Sequence, residues 1–90
     1  MKIVINNCYG GFALSEVAET RYKNESGMDV PYWDISRDDP ILVSIVEELG
    51  EDSWGACAEL MVIEIPDEVK WQIAEYDGSE WVAEQHRTWP

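Results

Sequence analysis

The sequence is short of positive charge, and this shortage excludes one broad class of function. Its 90 residues include only 6 lysines and arginines against 19 aspartates and glutamates, so the formal net charge is −13. A protein that holds nucleic acid through its phosphates needs a basic face, which so few cations cannot supply. We therefore expect no direct binding of nucleic acid.

Long hydrophobic runs are also missing. No apolar segment approaches the roughly 20 residues of a membrane-spanning helix, so we expect no membrane partner. The chain starts with a strand-like run at 3–5 and shows none of the features of a secretion signal, which predicts a cytoplasmic protein. Hydrophobic residues still make up 46% of the chain, enough for one folded domain over residues 1–90.

Cysteine and histidine are too scarce for most metal or disulfide chemistry. Cys8 and Cys57 can form one bridge at most, and they lack the CxxC spacing of a zinc site. Two free thiols are the expectation for a cytosolic chain. The acidic clusters do not follow the calcium-loop pattern. The sequence thus predicts no metal and no cofactor.

The negative charge is concentrated in the second half of the chain. Residues 38–84 hold fourteen acids and a single base, Lys70, so this stretch carries the whole net charge. An acidic surface keeps a small domain soluble. It also attracts a basic partner by electrostatic steering. Both interpretations are open at this point.

Capping signals predict two helices. Ser15 stands where an N-cap is expected for a first helix at about 16–24. Asp39 is the expected N-cap of a second helix at 40–49, because Pro40 follows it at the first helical position and a glycine stands just beyond residue 49.

Apolar runs and turn residues predict four strands. They lie at 3–5, 60–63, 71–76 and 79–84, with an Asp-Gly turn between the last two. The order β-α-α-β-β-β predicts an α+β fold of two layers. Two helices pack on one face of a mostly antiparallel sheet that ends in a β-hairpin.

Two registers are open to the hairpin. A two-residue loop, Asp77-Gly78, would set Glu75 directly opposite Glu80, where like charges repel. A three-residue loop pairs Ile73 with Trp81 instead and gathers apolar side chains on one face. We predict the three-residue loop, with Trp81 in the core.

A partner-binding surface is predicted where the second helix ends. Acidic side chains crowd this end, near the negative pole of the helix dipole, where acids are unfavourable. A tryptophan in the following loop would anchor a partner, since tryptophans recur at interface centres. The predicted surface consists of Glu47, Glu48, Glu51, Asp52, Trp54 and Glu80.

The turn after the first strand suggests two alternative sites. Gly10 and Gly11 could point backbone N–H groups at an anionic, nucleotide-like ligand, with Cys8, Tyr9 and His86 beside it. Alternatively, Cys8 could act as a nucleophile with His86 as its general base. The simpler interpretation is a structural turn beside a buried cysteine.

Two signatures stand at the ends of the chain. The first is KIVIN-x-CYGGF-x-LS at residues 2–15, and the second is EYDG at 75–78 followed by VAE-x-HRTW at 82–89. Together they resemble a family of small bacteriophage and prophage proteins. This resemblance carries no catalytic or binding residue. It implies a setting, an accessory protein acting inside a bacterial host.

These observations predict a non-catalytic protein that binds and inhibits or modulates a basic host protein. A nucleic-acid-binding enzyme or a defence component fits best, because carboxylates could occupy a cationic groove in place of DNA phosphates. A ligand-sequestering protein is the first alternative and a Cys8/His86 enzyme the second. The oligomeric state stays open.

Overall fold

The elements follow one another in the predicted order. In the computed structural model, which describes residues 1–84, the elements are β1 (Lys2–Asn6), α1 (Glu16–Ser26), α2 (Pro40–Leu49), β2 (Leu60–Glu64), β3 (Trp71–Tyr76) and β4 (Ser79–Glu84). Short 3-10 helices at Tyr32–Asp34 and Gly50–Ser53 flank α2. The predicted α+β class and the order β-α-α-β-β-β are confirmed.

Both helices begin at the predicted capping residues. The Ser15 hydroxyl accepts a hydrogen bond from the N–H of Ala18 at 3.2 Å. The Asp39 carboxylate accepts from the N–H groups of Ile41 and Leu42. α1 runs two residues further than predicted and ends where Gly27 adopts the left-handed conformation, with φ 73°. The bounds of α2 are those predicted.

The four strands form two antiparallel ladders. β1 pairs with β2, with Val4 opposite Val62, and β3 pairs with β4. α2 lies against β1 and β2, and α1 packs on α2. The core between the helices and the first ladder includes Val4, Leu42 and Leu60. β4 also lies against β1, which places the hairpin beside the first ladder.

The hairpin register differs from the prediction. The loop has two residues, Asp77 at φ 50° and Gly78 at φ 90°, and Glu75 stands directly opposite Glu80. The predicted three-residue loop was wrong because Glu80 is buried, 6% exposed, and is paired with Arg37. Repulsion across the hairpin therefore does not decide the register.

In the observed register, Trp81 also lies outside the core. It stands opposite Ala74, on the face away from Glu80, since side chains on a strand alternate. Trp81 is 48% exposed. The prediction that the hairpin buries Trp81 is wrong for the same reason as the register.

Tyr22 joins the two helices and makes stability depend on pH. Its buried hydroxyl donates to the Asp39 carboxylate at 2.8 Å. Burial, and then the hydrogen bond to Asp39, raise the pKa of Tyr22 above its ordinary value. The unfolded chain therefore ionises first, so this stabilisation is complete below about pH 10 and is lost as the pH rises through the raised pKa.

We expect the melting temperature of the wild type to fall more steeply than that of Tyr22→Phe as the pH rises above about 10, and not below it. Thermal unfolding followed by circular dichroism measures this difference. Tyr76→Phe is the matched control, because Tyr76 is exposed and its variant should follow the wild type. Parallel curves for Tyr22→Phe and the wild type would contradict the expectation.

Candidate functional site

An ion pair between Arg37 and Glu80 joins the hairpin to the segment that precedes α2. The guanidinium donates to both carboxylate oxygens, at 2.5 Å from Nη1 to Oε1 and 2.8 Å from Nη2 to Oε2. The same guanidinium lies 3.7 Å from the centre of the Phe12 ring. Two parallel bonds to a buried carboxylate are the strong form of this interaction.

Arg37 and Glu80 also provide hydrogen-bond partners for the backbone of β1. The N–H of Asn6 donates to Glu80 Oε1 at 2.8 Å. The N–H of Val4 donates to the Arg37 carbonyl at 2.8 Å, and Arg37 Nη1 donates to the Val4 carbonyl at 3.4 Å. Glu80 is thus buried and bonded within the fold, so it does not belong to the predicted partner-binding surface.

The Asn6 side chain, completely buried, connects three segments. Its Nδ2 group donates to the carbonyls of Cys8 at 2.8 Å and Gly78 at 2.7 Å. Its Oδ1 atom accepts from the N–H of Glu59 at 2.8 Å. The turn after β1, the hairpin turn and the start of β2 therefore meet at one amide.

The hairpin turn fills the space beside the predicted glycine site. The N–H of Gly10 donates to the Asp77 carbonyl at 3.2 Å. A Cβ atom added to Gly78 would lie 2.3 Å from the Gly11 nitrogen, and one added to Gly10 would lie 2.4 Å from the Cys57 carbonyl oxygen. The amide proposed to hold an anion at Gly10 is already bonded within the protein, which favours the structural interpretation of these glycines.

The structure describes some, but not all, of the remaining residues of the two alternative sites. Cys8 is half-buried with a free thiol, Cys57 is also free, and Tyr9 is exposed. His86 lies outside the described residues, so the Cys8/His86 pair stays a prediction. Within residues 1–84, no group of three or more histidine, cysteine, aspartate or glutamate side chains is arranged to hold a metal ion.

The acids at the end of α2 are exposed, and two of them are paired. Glu47 accepts from Lys2 Nζ at 2.8 Å, and Glu48 lies 2.5 Å from Arg21 Nη2. The hydrogen bond from Arg21 lowers the pKa of Glu48. Glu51 and Asp52 are exposed and make no ion pair within the described part of the chain.

Trp54 is not the exposed anchor that the sequence predicted. Its indole N–H donates to the Leu60 carbonyl at 3.1 Å, and its backbone pairs with that of Leu14. The side chain packs at the margin of the helix-side core. Trp54 therefore packs against the core beneath its loop and is not presented to a partner.

Ion pairs within the chain involve most of the lysine and arginine side chains in residues 1–84. Residues 1–84 contain five lysine and arginine side chains, and four of them lie within 4.0 Å of a carboxylate of the same chain. The amino terminus pairs with Asp67 at 2.5 Å, which lowers the pKa of that carboxyl. Three of these cations, on Lys2, Arg21 and Arg37, pair with acids of the 38–84 stretch, whereas Lys23 pairs with Asp29.

Sequence reasoning did not identify Trp33, the most exposed tryptophan within residues 1–84, as a site residue. Trp33 is 70% exposed, in the connector between α1 and α2. The sequence places Pro31 beside two aromatic residues, a pattern that indicates an ordered connector and gives no information on which ring faces solvent.

Comparison with known proteins found no matching family model, no similar curated protein and no similar solved structure. The likeness to phage and prophage proteins therefore stays a prediction. In the described residues, no helix is both long enough and apolar enough to cross a membrane.

Proposed function

We propose that this protein is a non-catalytic binding protein that engages, and inhibits or modulates, a basic protein of a bacterial host. The observation that carries the proposal is the internal use of the cations. Four of the five lysine and arginine side chains in residues 1–84 are paired within the chain. The charge offered to a partner is therefore almost wholly negative.

The end of α2 is the first contact surface in this proposal. Glu51 and Asp52 are exposed there, and the paired Glu47 and Glu48 lie beside them with roughly half of each side chain exposed. An exposed ion pair contributes little to stability, so a partner's cations can compete with Lys2 at modest cost. Carboxylates would then stand where a nucleic-acid-binding partner receives phosphates, as in the phage setting that the sequence signatures imply.

The experiment is affinity capture from a bacterial lysate at low and high salt. We expect a basic protein to be captured at low salt and lost steeply as salt rises, because steering between exposed charges is screened. Glu51→Gln/Asp52→Asn should weaken capture more than the matched control Glu64→Gln/Glu68→Gln, which removes the same charge from exposed residues elsewhere. Capture that is equal at both salt concentrations would refute the electrostatic mechanism.

A further inference from the structure

A groove runs between α1 and the connector that follows it. Its volume is about 500 Å³, within the range of small-ligand sites. The connector side carries exposed apolar surface, since Met28, Val30 and Trp33 are all exposed. The groove is lined by Glu19, Thr20, Lys23, Asp29, Val30, Pro31 and Trp33.

Trp33 is held in place although most of its surface is open. It belongs to the 3-10 helix at Tyr32–Asp34, in which the N–H of Ile35 donates to the Tyr32 carbonyl at 3.2 Å. The ring of Tyr32 packs edge-to-face with the Trp33 indole, with centroids 5.0 Å apart and an angle of 84°. Tyr32 in turn contacts the ring of Phe12. A pre-positioned indole loses little entropy when a partner covers it.

The charges in the groove favour a cation. Glu19 makes no ion pair within the described residues. Asp29 pairs with Lys23 at 3.4 Å, and both side chains are largely exposed, so this contact is weak and open to exchange. An aromatic ring beside two carboxylates provides both cation–π attraction and charge pairing.

We propose that this groove receives an arginine side chain of the basic partner, with the guanidinium against the Trp33 indole and within reach of Glu19. The inference rests on the proposed function and adds to it a specificity site that is lined by residues other than the acids at the end of α2. Arginine fits better than lysine, because its planar guanidinium stacks on aromatic rings and pairs with carboxylates through two parallel bonds.

The probe is an acetylated tetra-arginine peptide, with tetra-citrulline as its uncharged counterpart. Proton–nitrogen correlation spectra resolve the indole N–H signals, and Trp33→Phe identifies the signal of Trp33. We expect that signal to shift saturably with tetra-arginine and to stay in place with tetra-citrulline. Trp33→Ala should raise the Kd for tetra-arginine by about tenfold or more, as loss of an interface anchor does. Glu19→Gln should raise the same Kd by a smaller factor.

Trp81→Ala is the matched control, because Trp81 is also an exposed tryptophan and lies on the hairpin. Equal weakening by Trp33→Ala and Trp81→Ala, or an equal response to tetra-citrulline, would overturn the groove as an arginine site.

The captured partner separates this inference from the proposed function. Salt-sensitive capture that Trp33→Ala leaves unchanged would refute the groove and leave the proposed function standing. Absence of salt-sensitive capture, with tetra-arginine still binding at Trp33, would refute the proposed function and retain the groove as a guanidinium site.

Discussion

Arg37→Met is expected to lower the free energy of unfolding by about 3–5 kcal/mol, the loss typical when one partner of a buried ion pair is removed. The Glu80 carboxylate would stay buried with a single remaining bond, from the N–H of Asn6. Phe12 would also lose its contact with the guanidinium. Urea unfolding followed by circular dichroism measures the change.

Two further variants test the cause of that loss. Lys23→Met removes a cation from an exposed pair with Asp29 and should change stability by about 0.5 kcal/mol at most. Glu80→Gln should restore part of the stability when combined with Arg37→Met, since the amide keeps an acceptor for Asn6 and carries no charge. The account of this pair fails if Arg37→Met costs no more than Lys23→Met, or if the double variant is the less stable one.

Asn6→Asp is expected to destabilise the protein by about 3 kcal/mol or more at neutral pH, although the two side chains have nearly the same shape. The amide donates to the carbonyls of Cys8 and Gly78, and a carboxylate would place negative oxygen against both. It would also stand near Glu80, which already accepts from the Asn6 N–H.

The exposed neighbour Asn7 supplies the matched control for this substitution. Asn7→Asp adds the same charge at the surface and should stay within about 0.5 kcal/mol of the wild type in urea unfolding. The deficit of Asn6→Asp should shrink as the pH falls from neutral towards about 4, because the buried carboxyl then becomes protonated and can again donate one hydrogen bond. Similar stabilities for the two variants at neutral pH would show that the buried amide does not hold the three segments together.

The helices and strands could be predicted because their signals are local. Ser15 and Asp39 mark the helix starts through their own hydroxyl and carboxylate. The hairpin register could not be predicted from local signals, because it depends on Arg37, which lies 43 residues before Glu80 in the chain. Local like-charge repulsion gave the wrong answer once a distant cation was present.

The partner-binding surface could likewise be predicted only in part. Glu51 and Asp52 are exposed as a polar loop predicts, whereas Glu80 is paired through the tertiary fold and Trp54 is covered by it. Whether an aromatic side chain is exposed depends on the packing around it. Trp33 is exposed to solvent, whereas Trp54 is packed inside the fold and donates to the Leu60 carbonyl. No periodicity or spacing in the sequence records that packing.

The Arg37–Glu80 pair has a consequence for solubility. β1 contains Ile3, Val4 and Ile5, the kind of apolar strand whose free edge recruits strands of other molecules. Side chains of Arg37 and Glu80, together with the Arg37 carbonyl, occupy the N–H and carbonyl groups of Val4 and the N–H of Asn6. An inward-pointing charged pair of this kind closes the edge to strand addition, so the contact that aligns the hairpin also guards the chain against aggregation.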